Sequence, residues 1–184
     1  IDWPLSPQDH ANARRLVPAE HGYAVVHPGA QLPSRRWPAR RFAAVADRIA
    51  QAGLRVVLTG TEGERGLVAS VAAMMRQQPL DLCGRTDLWT LGALLSSARV
   101  LVCNDTGLSH VAAALGTRSV VVACGSETGR WAPLDTGRHR VLWRDMACRP
   151  CAHRACPVGH GCAEGLSVEA VAEAALDMAN GANA

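Results

Sequence analysis

One stretch constrains this chain more than any other: Val100-Leu-Val-Cys-Asn-Asp-Thr-Gly-Leu-Ser-His-Val-Ala-Ala-Ala-Leu-Gly116. It opens with an apolar run, Val100 to Cys103, of the kind that suits a strand buried on both faces. Polarity then switches abruptly at Asn104, Asp105, Thr106 and Gly107. Leu108, Val111, Ala112 and Leu115 follow at helical spacing, and Gly116 is placed to end the helix. Strand, polar turn and helix together present backbone N–H groups at a helix N-terminus, a ready site for an anion such as phosphate. Thr106 is a good N-cap, and His110, four residues on, shares its helix face. Gly107 leaves room for a ligand to approach the backbone. The bland alternative is an ordinary capped corner with one surface His. The polar cluster at the carboxyl end of a buried strand favours a ligand site.

The rest of the chain repeats the same alternation. Tyr23–His27, Leu54–Thr59, Leu80–Cys83, Ser119–Cys124 and Arg140–Trp143 read as further short strands. Helical patterns lie between them: one from Pro38, with Phe42, Val45, Ala46 and Ile49 inward; one from Glu62 to about Gln78; and one over Leu88–Ala98. Ser167 caps a last helix, with Val168, Val171 and Leu176 inward. About six short strands separated by helices predict an α/β fold, a doubly wound parallel sheet of Rossmann-like type. In such sheets ligands bind outside the carboxyl ends of the strands, near the switch in strand order. The loops after His27, Thr59, Cys83, Cys103 and Cys124 are therefore expected to converge on one crevice. Trp37 is expected to pack on the sheet, and His27 reads as a strand-end residue.

Residues 1–22, interrupted by Pro4, Pro7 and Pro18 but with a helical stretch over Ser6–Leu16, read as a connector from an upstream domain. Residues 23–184 then form the domain. The chain opens with neither Met nor the basic and apolar stretches of a signal peptide, and is read as a piece of something longer. No run of about eighteen apolar residues suggests a membrane span.

Composition excludes several chemistries. All 19 Lys-plus-Arg positions are Arg. Schiff-base chemistry and a P-loop Lys are therefore out, and any phosphate clamp must use a guanidinium. A net charge of +3 with one Tyr and one Phe offers little for stacking bases, so no nucleic-acid partner is expected. No Gly-x-Gly-x-x-Gly follows the first strand, which argues against a nicotinamide-dependent oxidoreductase. Of the seven Cys, Cys83, Cys103 and Cys124 sit in apolar runs and read as buried thiols. Cys148-x2-Cys151-x4-Cys156-x5-Cys162 lies in a loop spanning residues 145–165. It admits a tetrahedral zinc site, paired thiols or free thiols. No metal ligand is assigned. A non-catalytic Rossmann-like module using this loop for zinc and a protein partner is the alternative in another functional class. The loop is expected to pin the last helix to the sheet.

Taken in order, several short motifs resemble glycosyltransferase family 9, the ADP-heptose–lipopolysaccharide heptosyltransferases. They are His27-Pro-Gly-Ala30, Arg35-Arg-Trp-Pro38, Leu58-Thr-Gly-Thr-Glu62, Cys83-Gly-Arg-Thr86, Asn104-Asp-Thr-Gly-Leu-Ser-His110, Gly125-Ser126 and Arg130-Trp131-Ala-Pro133. The resemblance runs from about residue 23 to the end. It implies the carboxyl-terminal, donor-binding half of a two-domain GT-B glycosyltransferase. The acceptor, a lipopolysaccharide core, and the acidic catalytic base would belong to an absent amino-terminal half, so no catalytic residue is assigned here.

Carried over by position, Asp105, Thr106, Gly107 and His110 fall on the stretch that binds the donor's diphosphate and heptose. Arg35 falls on a phosphate-binding Lys, keeping its charge but changing reach and fork geometry. Ala30 and Gln31 fall on the phosphate loop, Glu62 on an acid that contacts the adenosine ribose, and Thr86 on a position lining the adenine. The family is metal-independent in this step, and no Asp-x-Asp occurs here; no cofactor is expected. The implied donor is a nucleotide sugar like ADP-heptose. The implied location is the cytoplasm, at the inner face of the inner membrane, with room for peripheral membrane contact.

Overall fold

Residue-by-residue alternation along four strands divides the interior in two. The computed structural model describes residues 3–18 and 22–181. Its six strands are β1 (Tyr23–His27), β2 (Arg55–Leu58), β3 (Leu80–Asp81), β4 (Val100–Asn104), β5 (Ser119–Val122) and β6 (His139–Leu142). They form one sheet in the order β3-β2-β1-β4-β5-β6, every neighbouring pair parallel. Side chains on successive strand residues point to opposite faces. Val26, Leu58, Val102 and Val122 therefore enter one apolar cluster. Val25, Val57, Leu101 and Val121 enter the other.

Among the described residues seven α-helices cover the faces: α1 (Pro7–Leu16), α2 (Ala39–Gln51), α3 (Arg65–Met74), α4 (Leu88–Ser97), α5 (Gly107–Leu115), α6 (Gly161–Glu164) and α7 (Val168–Asn180). On the first face α2 buries Phe42, Val45, Ala46 and Ile49, joined by α3, α6 and α7. On the second, α4 and α5 bury Leu94, Leu95, Leu108 and Val111. Both faces are covered, as an all-parallel sheet requires. The chain changes face at the β1/β4 boundary, so the loops after these two strands diverge and leave a crevice between them.

The segment expected to connect domains folds against this one. Ser6 and Asp9 form a capping box, with Pro7 at the first helical position. Helix α1 then buries Ala13 and Val17 in the cluster that holds α4. Residues 19–21, within the same segment, lie outside the described residues.

Several boundaries differ from expectation, three of them through a named contact or through burial. Helix α3 stops at Met74, short of Gln78. The carboxylate of Asp47, buried on α2, accepts the N–H groups of Arg76 (2.9 Å) and Gln77 (3.3 Å) and draws the chain off the helical path. Strand β3 spans two residues rather than four, because Asp81 Oδ1 takes the Cys83 N–H at 2.8 Å and turns the backbone. Asn104, expected to begin the polar turn, is the last residue of β4 and fully buried.

Candidate functional site

Asn104 organises the crevice. A buried side-chain amide must satisfy both its ends. Its Nδ2 donates to the Pro28 carbonyl at 2.7 Å and the Gly29 carbonyl at 3.3 Å. Its Oδ1 accepts the Trp37 N–H at 2.9 Å. One residue at the end of β4 thus holds both ends of the loop that leaves β1. Trp37 is buried, stacks edge-on against Phe42 at 5.2 Å, and donates its indole N–H to the Ala163 carbonyl. It packs on the sheet as expected.

Beyond Asn104 the chain passes Asp105 and enters α5. Thr106 is the N-cap: its φ of −141° is extended, and its Oγ1 accepts the Leu108 N–H at 3.1 Å. Gly116, at φ 68°, closes the helix in the left-handed conformation that favours glycine.

A cleft of about 630 Å³ opens where these loops meet. Seven of the nine residues singled out from the sequence line it: Ala30, Gln31 and Arg35 from the β1 loop, and Asp105, Thr106, Gly107 and His110 from the β4 loop and α5. Arg35 Nε is shielded from solvent and has no hydrogen-bond partner within the described chain. A guanidinium N–H left unpaired at the wall of a cleft beside a helix N-terminus is suited to an anion.

Glu62 and Thr86 do not line the cleft. Glu62 is turned outward into an ion pair with Arg65, which also donates to the Cys83 carbonyl. That pairing, above all the hydrogen bond, holds the Glu62 carboxyl below its ordinary range. Thr86 sits half-buried in the turn after β3.

The acid that does line the cleft is Glu64, with His27 and Thr61 beside it. Glu64 Oε2 accepts the Thr61 N–H and hydroxyl, each at 2.9 Å. Its carboxylate lies so close to Gly29 that a Cβ there would meet Oε1 at 2.1 Å. The sequence offered two acids two residues apart, Glu62 and Glu64; the capping-box spacing from Thr61 was the signal that turns Glu64 inward. His27 is buried, with Nδ1 3.1 Å from Thr59 Oγ1. Burial lowers its pKa, opposed by the nearby Glu64 charge. Leu88 and Leu91 of α4, with Leu108 and Val111 of α5, supply an apolar wall.

Cys83, Cys103 and Cys124 are buried thiols, as read from the sequence. The four clustered cysteines are free, graded from exposed Cys148 to buried Cys162. Among the described residues no three His, Cys, Asp or Glu side chains are grouped to hold a metal, which leaves the zinc reading of this loop without a ligand set.

Fold and cleft define the class: a Rossmann-like domain with its candidate site at the topological switch point. The chain matches glycosyltransferase family 9 (heptosyltransferase) over residues 2–161 and belongs to that family. It is 26% identical over 158 residues to lipooligosaccharide heptosyltransferase 2 of Campylobacter jejuni, covering 83% of this chain and 50% of that protein. To lipopolysaccharide heptosyltransferase 2 of Escherichia coli it is 32% identical over 135 residues, covering 65% and 38%. A solved family 9 glycosyltransferase of Veillonella parvula superposes with a TM-score of 0.85 at 22% identity, covering 98% of this chain and 54% of that one. For E. coli ADP-heptose lps heptosyltransferase II the TM-score is 0.82 at 21% identity, covering 100% and 54%. The chain spans about half the length of the relatives it matches, or less.

Proposed function

We propose that this chain is the donor-binding half of a heptosyltransferase, holding a nucleotide sugar such as ADP-heptose for transfer to a lipopolysaccharide-core acceptor. The observation that carries the reading is the meeting of Arg35 with Asp105, Thr106 and Gly107 in one cleft. These groups come from loops some seventy residues apart, on either side of the switch point. A sugar diphosphate gains negative charge on its leaving oxygen as the glycosidic bond breaks. A helix N-terminus and a guanidinium stabilise that charge more in the transition state than in the ground state.

In this reading the α5 N-terminus and Arg35 take the diphosphate, with Ala30 and Gln31 as the wall of the phosphate loop. Asp105 and His110, at the mouth of the helix, contact the sugar. Glu64, an acceptor-only group inside the cleft, suits ribose hydroxyls better than the outward-paired Glu62. Leu88 and Leu91 give the base an apolar surface. The acceptor and the general base come from another half of the enzyme. Work at the inner membrane face, in the cytoplasm, follows from the acceptor's chemistry; among the described residues no helix is long and apolar enough to cross a membrane.

Calorimetry with ADP, ADP-heptose and a UDP-sugar tests this. The expected order is ADP-heptose and ADP binding in the micromolar range or tighter, with the UDP-sugar weaker. A folded chain that binds none of the three overturns the reading.

A further inference from the structure

The Cys-rich segment meets the β1 loop at Trp37, whose indole N–H donates to the Ala163 carbonyl, and at Ser34, next in sequence to Arg35. Ser34 is buried in the short 3-10 turn Pro33–Arg35. All of its polar groups are engaged by this one segment. Its N–H donates to the Arg154 carbonyl at 3.1 Å. Its Oγ donates to the His153 carbonyl at 2.5 Å. Its carbonyl accepts from His160 Nε2 at 2.8 Å.

The segment is itself fixed at both flanks. On one side Cys151 N–H donates to the Gly125 carbonyl at 2.7 Å, and Arg149 donates to the carbonyls of Ala123 and Ser126 past the end of β5. A Cβ on Gly125 would meet Cys151 Cβ at 2.8 Å, so the two backbones are in close contact. On the other side Arg41 of α2 binds the carbonyls of Ala163 and Leu166 and the Glu164 carboxylate. Cys162 enters the main apolar cluster alongside Cys124.

His160 stands between these anchors. Among the described residues it alone, apart from glycines, has a positive φ (58°). That conformation is disfavoured for an ordinary side chain. Its N–H donates to Cys156 Sγ at 3.1 Å, and its ring is thereby aimed at Ser34. A carbonyl can only accept, so Nε2 carries the proton in this bond. The same left-handed residue starts α6, its carbonyl accepting the Ala163 and Glu164 N–H groups, while its ring reaches the neighbour of the cleft's guanidinium.

We infer that the Cys-rich segment is a buttress for donor binding: His160, acting through Ser34, is a positioning residue that sets the Arg35 guanidinium in the cleft. The proposal rests on the reading that Arg35 meets the donor diphosphate. The turn is closed internally by the bonds from the Arg35 N–H to the Leu32 carbonyl and from the Arg36 N–H to the Pro33 carbonyl. On either side of it lie the Asn104 bonds to Pro28, Gly29 and Trp37, the Trp37 indole bond to Ala163, and the Arg36 Nε bond back to the Ala30 carbonyl at 2.8 Å. The free thiols then serve the backbone path that presents His160.

Two substitutions separate this from a general structural role. His160→Asn suits the left-handed backbone at least as well as His but cannot reach Ser34. His160→Gln carries an amide donor near the place of Nε2. In the 184-residue chain, His160→Asn is expected to weaken ADP binding about fivefold, the worth of one lost hydrogen bond, and to leave adenosine binding as it was. His160→Gln is expected to recover most of the loss. In an Arg35→Gln background, His160→Asn is expected to add nothing, because the two act through one contact.

Undiminished ADP affinity in His160→Asn overturns the buttress. So does an equal loss for adenosine, or the same loss in the Arg35→Gln background. Amide exchange at Ser34 and Arg35 distinguishes this from a failure of the donor reading. If the wild-type chain binds no ADP while His160→Asn speeds that exchange, the buttress holds the turn and the donor reading is what fails. If exchange is unchanged, the buttress is refuted whatever binds.

Discussion

The Trp37 N–H donates to Asn104 Oδ1 at 2.9 Å, across 67 positions of sequence. Through this bond the end of β4 fixes where the β1 loop rejoins the domain, and so where Arg35 lies relative to the α5 N-terminus. Asn104→Ala leaves a buried N–H at Trp37 and buried carbonyls at Pro28 and Gly29 without partners. The expected cost is about 1–3 kcal/mol of folding stability, measured by urea unfolding, with a weakening of ADP affinity beyond it. Asn104→Asp keeps an acceptor for Trp37 but sets a buried carboxylate oxygen against the Pro28 and Gly29 carbonyls, and is expected to lose at least as much ADP affinity as Asn104→Ala.

Glu64 and Glu62 rank differently by structure than by motif position. Glu64→Ala removes the ribose acceptor together with the Thr61 capping bonds, and is expected to weaken ADP binding about tenfold while leaving pyrophosphate binding intact. Glu62→Ala is expected to cost less. The reverse ranking by calorimetry would return the ribose to Glu62.

Gly29→Ala places a methyl where the Glu64 carboxylate now lies. A flexible carboxylate can move aside, so stability is expected to change little. Moving it takes the acceptor out of the cleft, so ADP affinity is expected to fall with it. Thermal unfolding and calorimetry on the same sample check both halves.

Acid sensitivity follows from two buried imidazoles. Burial lowers the pKa of His27 and of His139, whose Nδ1 lies 2.9 Å from Ser119 Oγ. Both bind a proton less readily in the folded chain than in the unfolded one, which takes up protons as pH falls through about 6.5. The unfolded state then binds more protons than the folded one, so stability falls as pH drops from about 7.5 to 5.5. The carboxylates whose pKa is lowered, Glu62, Glu164 and Asp87, act below that window. Urea midpoints at pH 7.5 and pH 5.5 measure the slope, and His27→Gln is expected to flatten it.

A thiol pair gives a spectroscopic check on α6. Cys162 is brought down to about 6, first by the hydrogen bond from Cys124, then with help from His160 and Arg149 and against its own burial. Cys124 is correspondingly pushed up and stays the proton donor. The thiolate absorbance of Cys162 is expected to appear below the ordinary thiol range, and Cys124→Ala to move its midpoint upward.

The sheet was legible because both periodicities are unbroken: Val25 and Val26, or Leu101 and Val102, can face opposite covered sides only in a doubly wound sheet. The convergence of Arg35 with Asp105 was legible for the same reason, since parallel strands put their carboxyl-end loops on one rim. What the sequence hid depends on partners far along the chain. Nothing near Gln78 says that Asp47 will end α3 early. Nothing in Asn104 itself says that it will be buried as a clamp on the β1 loop. The capping-box spacing from Thr61 did separate Glu64 from Glu62, but the Cys spacing shows the thiols without showing that the loop's polar contacts go to Ser34.

Calorimetric titration of ADP into the wild-type chain and into Arg35→Gln tests the central claim most directly. The account predicts that the wild type binds ADP, and that the variant, still folded and with its adenosine affinity unchanged, binds ADP tenfold to a hundredfold more weakly, as the loss of a charged hydrogen-bond donor would give, on the order of 1.5–3 kcal/mol. Equal ADP affinity in the two proteins would contradict it.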